Sequence, residues 1–314
     1  MAGLFGLLVM GLLGTIFSGS SDDDTQETPN TSNIPSEGID ILYGTNDSDT
    51  IEGQSGDDSI SGYQGDDLLR GGDGNDVVYG DAGDDVLAGN AGDDLIIGGS
   101  GDDEIYGGPG DDVAAGQTGD DHIWGQDGRD EIYGEDGADT LLGGAGADVL
   151  SGGADDDMLF GEEGDDVLIG ELGHDTMYGG DGNDILDGLT DATPLDPEDP
   201  KDGDMRDTMY GGAGDDILIL GNSDVATGGS GADTFTSGTH IVDEQAPRIE
   251  DFNPSEDTFI IFDYTTYSDV PPELMVDADN PGSAFIMYRG EPTAYVVGGA
   301  TIDASQIEVR RVSV

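Results

Sequence analysis

The sequence predicts an all-β protein: a parallel β-roll, a β-solenoid with two nine-residue repeats per coil, followed by a small β-rich C-terminal unit. Three observations carry this. A nine-residue unit is written sixteen times without a gap over residues 44–187, one copy being Gly71-Gly72-Asp73-Gly74-Asn75-Asp76-Val77-Val78-Tyr79. Position 1 is glycine in all sixteen copies, and position 4 is glycine in fourteen, with Asp47 and Asp155 as the exceptions. Position 6 is aspartate in all sixteen, and position 8 is always apolar, from Ile51, Ile60 and Leu69 to Leu186, Ala114 being the only small one.

The unit dictates its own geometry. Glycine at positions 1 and 4 excludes a continuous helix and supplies the positive φ of a tight turn. Positions 7 to 9 are left to form a short strand, in which position 8 faces one way and positions 7 and 9 the other. Position 8 is apolar, so it faces the interior. A three-residue strand has no stability alone, and stacking many of them into a solenoid is the remedy. If each turn reverses the chain, two units close one coil, and residues 18 apart stack in two parallel sheets. Eight coils at ~4.8 Å each give a roll about 38 Å long.

Taken in order, residues 1–17 are apolar, punctuated by Gly3, Gly6, Gly11 and Gly14, and carry no charged side chain. A cleaved signal, a membrane anchor and a plain hydrophobic tail are all compatible with that composition. Residues 18–34 form an acidic linker expected to be disordered. The β-roll is assigned to residues 35–236, beginning with a degenerate copy at 35–43 that keeps Gly38, Asp40 and Leu42 in register. A 14-residue insertion, 188–201, with Pro194, Pro197 and Pro200, reads as a surface loop. Register resumes through Asp207 and Met209, continues through Asp216, passes through one shortened copy, and closes at Asp233 with Phe235 in place of the aliphatic residue. Residues 237–314 hold longer β-branched and aromatic runs at 258–262, 284–288, 294–297 and 307–312, read as strands of a capping and secretion unit.

Charge decides the chemistry. There are 71 acidic against 8 basic side chains, a net charge of −63, which repels nucleic acid. Such a chain compacts only when something positive binds. No cysteine is present, which excludes disulfides and thiolate metal sites. In the roll, each position-6 aspartate stacks on the one 18 residues away, as Asp76 on Asp94. Unit charges ~5 Å apart repel by about 0.8 kcal/mol in bulk water and more where water is partly excluded. A hard divalent cation converts that repulsion into cohesion. Calcium takes 6–8 oxygens in flexible geometry, whereas magnesium demands near-ideal octahedra and retained water. The predicted ligands are therefore Asp40, Asp49, Asp58, Asp67, Asp76, Asp85, Asp94, Asp103, Asp112, Asp121, Asp130, Asp139, Asp148, Asp157, Asp166, Asp175, Asp184, Asp207, Asp216 and Asp233. The expected cofactor is many Ca2+ ions, one per stacked pair of turns. Turn preference alone explains frequent Asp, Asn or Ser, but not aspartate at position 6 in every copy.

The unit Gly-Gly-x-Gly-x-Asp-x-U-x, with U a large aliphatic, resembles the repeats-in-toxin (hemolysin-type) calcium-binding family over residues 35–236. The resemblance implies a parallel β-roll with calcium between successive turns and export of the unfolded chain by type I secretion machinery, hence a secreted, extracellular protein, cell-surface association being one variant. It also implies ligand carbonyls at positions 1 and 3, for example Gly71, Asp73, Gly80, Ala82, Gly89, Ala91, Gly98 and Ser100. The second glycine is replaced in most copies, as at Gln54, Tyr63, Asp81 and Glu162. Residues 249–257, Ile-Glu-Asp-Phe-Asn-Pro-Ser-Glu-Asp, resemble the Asp-Phe segment that follows such arrays in exported members.

No enzyme is expected and no catalytic residue is assigned. His122, His174 and His240 form no H-E-x-x-H motif, no G-x-S-x-G elbow exists, and the single lysine, Lys201, follows a proline rather than a phosphate-binding glycine loop. One outward column stands out at position 9: Tyr106, Trp124, Leu142, Phe160 and Tyr178, 18 residues apart and including the only tryptophan. It is a candidate surface for a glycan or cell-surface partner. A mutually stabilising ladder explains it as well, and the opposite sheet has its own ladder at position 7, Val77, Leu95, Val113, Val149 and Val167. The expected function is a calcium-binding structural or surface-interaction module. The alternatives are an adhesin or glycan-binding module, and an accessory subunit of an extracellular enzyme such as an epimerase, lipase or protease. Membrane contact is expected only through residues 1–17.

Overall fold

The computed structural model describes residues 35, 38–189, 206–238, 246–263, 273–276, 283–288, 291–297 and 307–311. The hydrophobic segment 1–17, the linker 18–34 and nearly all of the insertion 188–201 lie outside the described residues. Everything described is strand and turn, in two sheets of 13 and 14 strands, and no helix long and apolar enough to cross a membrane occurs among these residues. Through the repeats the chain alternates between the sheets, so strands neighbouring in space there are alternate strands in sequence and pair in parallel.

The register is the one the repeat demands. Val77 pairs with Leu95 and Leu95 with Val113 on one sheet, Tyr106 with Trp124 and Trp124 with Leu142 on the other. Position 8 forms the interior: Ile60, Leu69, Val78 and Leu87 are fully buried in a core that runs unbroken to Phe235 and beyond. Burial of each such side chain contributes about 1.5–3 kcal/mol. After the insertion, Thr176 pairs with Thr208 and Ile185 with Ile217, so the extra residues leave the stacking intact.

Two features of the unit differ from the expectation. Strands in regular copies are six residues long, as in Val77–Ala82 and Val86–Ala91, because positions 7–9 run on into positions 1–3 of the next unit. The pairing steps over position 1: Tyr79 pairs with Ile97 and Asp81 with Gly99, leaving Gly80 outside the register. The second difference concerns φ. Position 1 is not left-handed; positions 2 and 4 are, as at Gly72 (127°) and Gly74 (140°). The replacements at position 2 keep this conformation in every copy after the first, with φ of 83° at Gln54, 77° at Tyr63, 75° at Asp81 and 76° at Glu162. These side chains accept a backbone strain of about 1–2 kcal/mol each because pairing on both sides holds the corner. Position 1 is glycine for a different reason, which belongs to the site described below.

The C-terminal strands extend the roll. Thr258–Asp263 pairs in parallel with Thr234–Gly238 and then with Ile307–Arg311. On the other sheet Arg248–Ile249 joins Val225–Ser230, followed by Glu291–Val296 and the antiparallel strands Ala284–Tyr288 and Glu273–Val276. Phe252, Phe259, Ile286 and Ile307 close the end of the core. Asp251 completes the join, its two carboxylate oxygens accepting the N–H groups of Gly228 and Gly229, each at 2.9 Å.

Candidate metal centre

Every regular turn builds the same arrangement. The position-6 aspartate turns inward, and its Oδ1 accepts the backbone N–H of the aspartate one coil earlier: Asp58 N–H donates to Asp76 Oδ1 at 2.7 Å, and Asp76 N–H to Asp94 Oδ1 at 2.7 Å. Repetition makes two ladders, one along each edge. One runs from Asp40 through Asp58, Asp76, Asp94, Asp112, Asp130, Asp148, Asp166, Asp184, Asp216 and Asp233 to Asp257. The other runs from Asp49 through Asp67, Asp85, Asp103, Asp121, Asp139, Asp157, Asp175 and Asp207 to Asp224. All the aspartates singled out from the sequence stand in these ladders. Asp224 and Asp257 were missed because they fall off the interval of 18, Asp224 lying 17 residues after Asp207 and Asp257 lying 24 after Asp233. The Asp-x-apolar spacing, Asp224 before Ala226 and Asp257 before Phe259, is the signal that identifies both.

The second carboxylate oxygen is the unusual one. In sixteen of these residues between Asp58 and Asp216, each with a glycine at position 1 of its unit, Oδ2 is buried and has no hydrogen-bond partner. Aspartate is almost never fully buried without a compensating partner, since an isolated buried carboxylate is strongly disfavoured. Position 1 explains where these oxygens point. A Cβ on Gly53 would collide with Asp58 Oδ2 and with the carbonyl oxygen of Gly71; on Gly62 with Asp67 Oδ2 and Gly80 O; on Gly80 with Asp85 Oδ2 and Gly98 O. The bare Cα of position 1 thus leaves a hollow bordered by a carboxylate oxygen of its own unit and a carbonyl oxygen of the next coil. Glycine is invariant at position 1 to keep that space, not to supply an unusual φ.

The other expected carbonyls have partners in the sheet. Asp73 O accepts Gly56 N–H at 2.7 Å, Ala82 O accepts Gly65 N–H at 2.9 Å, Ala91 O accepts Gly74 N–H at 2.7 Å and Ser100 O accepts Gly83 N–H at 2.8 Å. Each retains a second lone pair. Among the described residues no group of three Asp, Glu, His or Cys side chains is arranged to hold a metal ion, and the oxygens on offer at each turn are one carboxylate and main-chain carbonyls.

Burial governs the electrostatics. It pushes the carboxyl groups of Asp121 and Asp157 up to about 8, and those of Asp94, Asp103, Asp166 and Asp216 up to about 7. The hydrogen bond from the preceding coil opposes the shift, and neighbouring carboxylates reinforce it. At neutral pH burial thus favours the protonated form at Asp121 and Asp157 unless a cation offsets it. An oxygen-only donor set with flexible geometry suits calcium.

A second ladder, at position 5, lies on the surface and runs the opposite way. Asp84 N–H donates to Asp66 Oδ1 at 3.2 Å, Asp93 N–H to Asn75 Oδ1 at 3.1 Å and Asp102 N–H to Asp84 Oδ1 at 3.1 Å. It accounts for the frequent Asp or Asn at a position the repeat leaves variable.

The outward aromatic column is present as expected and one residue longer. Tyr106 stacks on Trp124 (4.7 Å, 5°), Phe160 on Tyr178 (5.0 Å, 2°), and Tyr178 on Tyr210 (4.8 Å, 6°). Tyr210 was hidden by the insertion, which breaks the interval of 18. The ring faces are turned to one another along the roll, so the column shows its edges to solvent.

A family model described as RTX calcium-binding nonapeptide repeat (4 copies) matches the chain in overlapping stretches from 36 to 192 and from 202 to 239. No curated protein matches it.

Proposed function

The chain belongs to the RTX calcium-binding nonapeptide-repeat family, and from that premise we propose that calcium entering the buried aspartate ladders drives folding of the roll outside the cell. The observation that carries this reading is the row of buried, partnerless Oδ2 atoms, each facing the hollow of a position-1 glycine. The position-6 aspartates, Asp58 to Asp216, hold the ions, with carbonyls such as Gly71, Gly80 and Gly98 from adjacent coils. The calcium supplies positive charge that neutralises the stacked carboxylates and ties successive coils together. In the absence of cation the net charge of −63 keeps the chain open. Affinity near the ~10⁻⁴–10⁻³ M of extracellular modules suits a protein that stays unfolded inside the cell and folds once exported. This fits passage through type I secretion machinery. A calcium titration followed by circular dichroism and by the fluorescence of Trp124 tests it. Both signals should change together from coil to β-structure. A β-rich spectrum at neutral pH in excess chelator overturns the coupling of folding to calcium.

The folded product serves as a structural or surface-interaction module. A glycan or cell-surface partner is a second reading, favoured by the extension of the column to Tyr210, whose side chain, like that of Tyr178, is more than a third exposed. Replacing Trp124 and Phe160 by Ser, with calcium-driven folding retained, should abolish retention on cells or glycan beads. Unchanged retention removes this reading. A role beside an extracellular epimerase, lipase or protease rests on family resemblance, and co-purification with a catalytic chain tests it.

A further inference from the structure

We infer that three of the four ends of the aspartate ladders are closed by the protein's own hydrogen-bond donors and take no cation, so that the ions are confined to the turns between them. This rests on the calcium reading above and adds where the ions stop. The contrast lies in Oδ2. At Asp49, the first residue of its ladder, Oδ2 accepts the N–H of Thr45 at 2.6 Å and the hydroxyl of Thr45 at 2.9 Å. At Asp224, the last residue of the same ladder, it accepts Gly221 N–H at 2.6 Å. At Asp257, which ends the other ladder, it accepts Asn253 N–H at 2.6 Å. The sixteen intervening oxygens of the partnerless set accept nothing.

Local sequence causes the difference. In the first regular copy neither Thr45 nor Asp47 has the positive φ found at positions 2 and 4 of the other units, and the turn curls its own donors onto its aspartate. In the Asp224 and Asp257 turns the Gly-x-x-Gly stretch is absent, and a donor three or four residues upstream reaches back instead. Two donors occupy both lone pairs of Asp49 Oδ2, and a short charge-assisted bond holds each of the other two. A cation at these oxygens would have to displace them. Solenoids need ends that do not invite further stacking, and a turn satisfied by its own amides provides one without metal.

The test is to locate ions in the full chain. In crystals grown in calcium and soaked with a lanthanide, anomalous peaks should lie beside Oδ2 in turns between Asp58 and Asp216. None should lie within about 2.6 Å of Oδ2 of Asp49, Asp224 or Asp257. Equilibrium dialysis in solution supplies a second measure: Asp121→Asn should bind less calcium per chain than the parent, while Asp257→Asn should bind the same amount. Ions at interior turns and also on any of the three closed oxygens overturn the inference and leave the calcium reading standing. Absence of ions from every turn overturns both.

Discussion

Position 1 and position 6 act as one device: the glycine leaves the hollow and the aspartate lines it. Gly116→Ala would place a Cβ against the Asp121 side chain. Overpacking of this kind costs about 1–3 kcal/mol, so the calcium midpoint for folding should rise, as read by Trp124 fluorescence. A position-2 change is the control. Glu135 sits at φ 80°, so Glu135→Gly relieves strain at that corner and should leave the midpoint within about a factor of two, the gain being offset by chain entropy. Asp121→Asn keeps an Oδ1 acceptor for Asp103 N–H but removes the charge. It should weaken calcium-driven folding without abolishing it. Asp121→Ala removes both and should cost more.

The ladder titrates as an element, and the sign of its pH dependence follows from the raised pKa values. Asp121 and Asp157 stand at about 8 in the folded chain against the ordinary 3.8. Protonation thus favours the fold. The stabilisation is complete below about pH 4 and is lost as pH rises toward 8. In calcium-free buffer the chain should gain β-structure on acidification from pH 8 to pH 4, followed by circular dichroism, and lose it on return. A coil at both pH values would contradict the burial of these carboxyls. The strand is also an element that periodicity describes incompletely. Alternation at positions 7–9 shows which side chain faces in, but the continuation through positions 1–3 depends on pairing with coils 18 residues away. No local pattern encodes that pairing.

At the scale of the molecule, the roll and its C-terminal strands share two continuous sheets and one core. Ending the chain after Gly238 would uncover Phe235, which packs against Phe252 (5.9 Å) and pairs in register with Phe259. The truncated chain should need more calcium to fold and should be cut from its C-terminal side by limited proteolysis at calcium levels that protect the full chain. Equal protection of both would show that the C-terminal strands add nothing to the roll.

The period by itself determined the parallel β-roll, the inward face at position 8, the two aspartate edges and the outward columns. It could do so because a strict repeat places chemically identical residues in identical surroundings, so one unit stands for all. Tertiary structure decided what no single unit contains. It showed that invariant glycine at position 1 guards space between coils, since the colliding oxygens come partly from residues 18 away. It brought Asp224, Asp257 and Tyr210 into rows from which the shortened copy and the insertion had displaced them in sequence. It also separated carboxylates that already have a donor from those that lack one, because hydrogen bonding depends on where the next coil and the local turn place an N–H group.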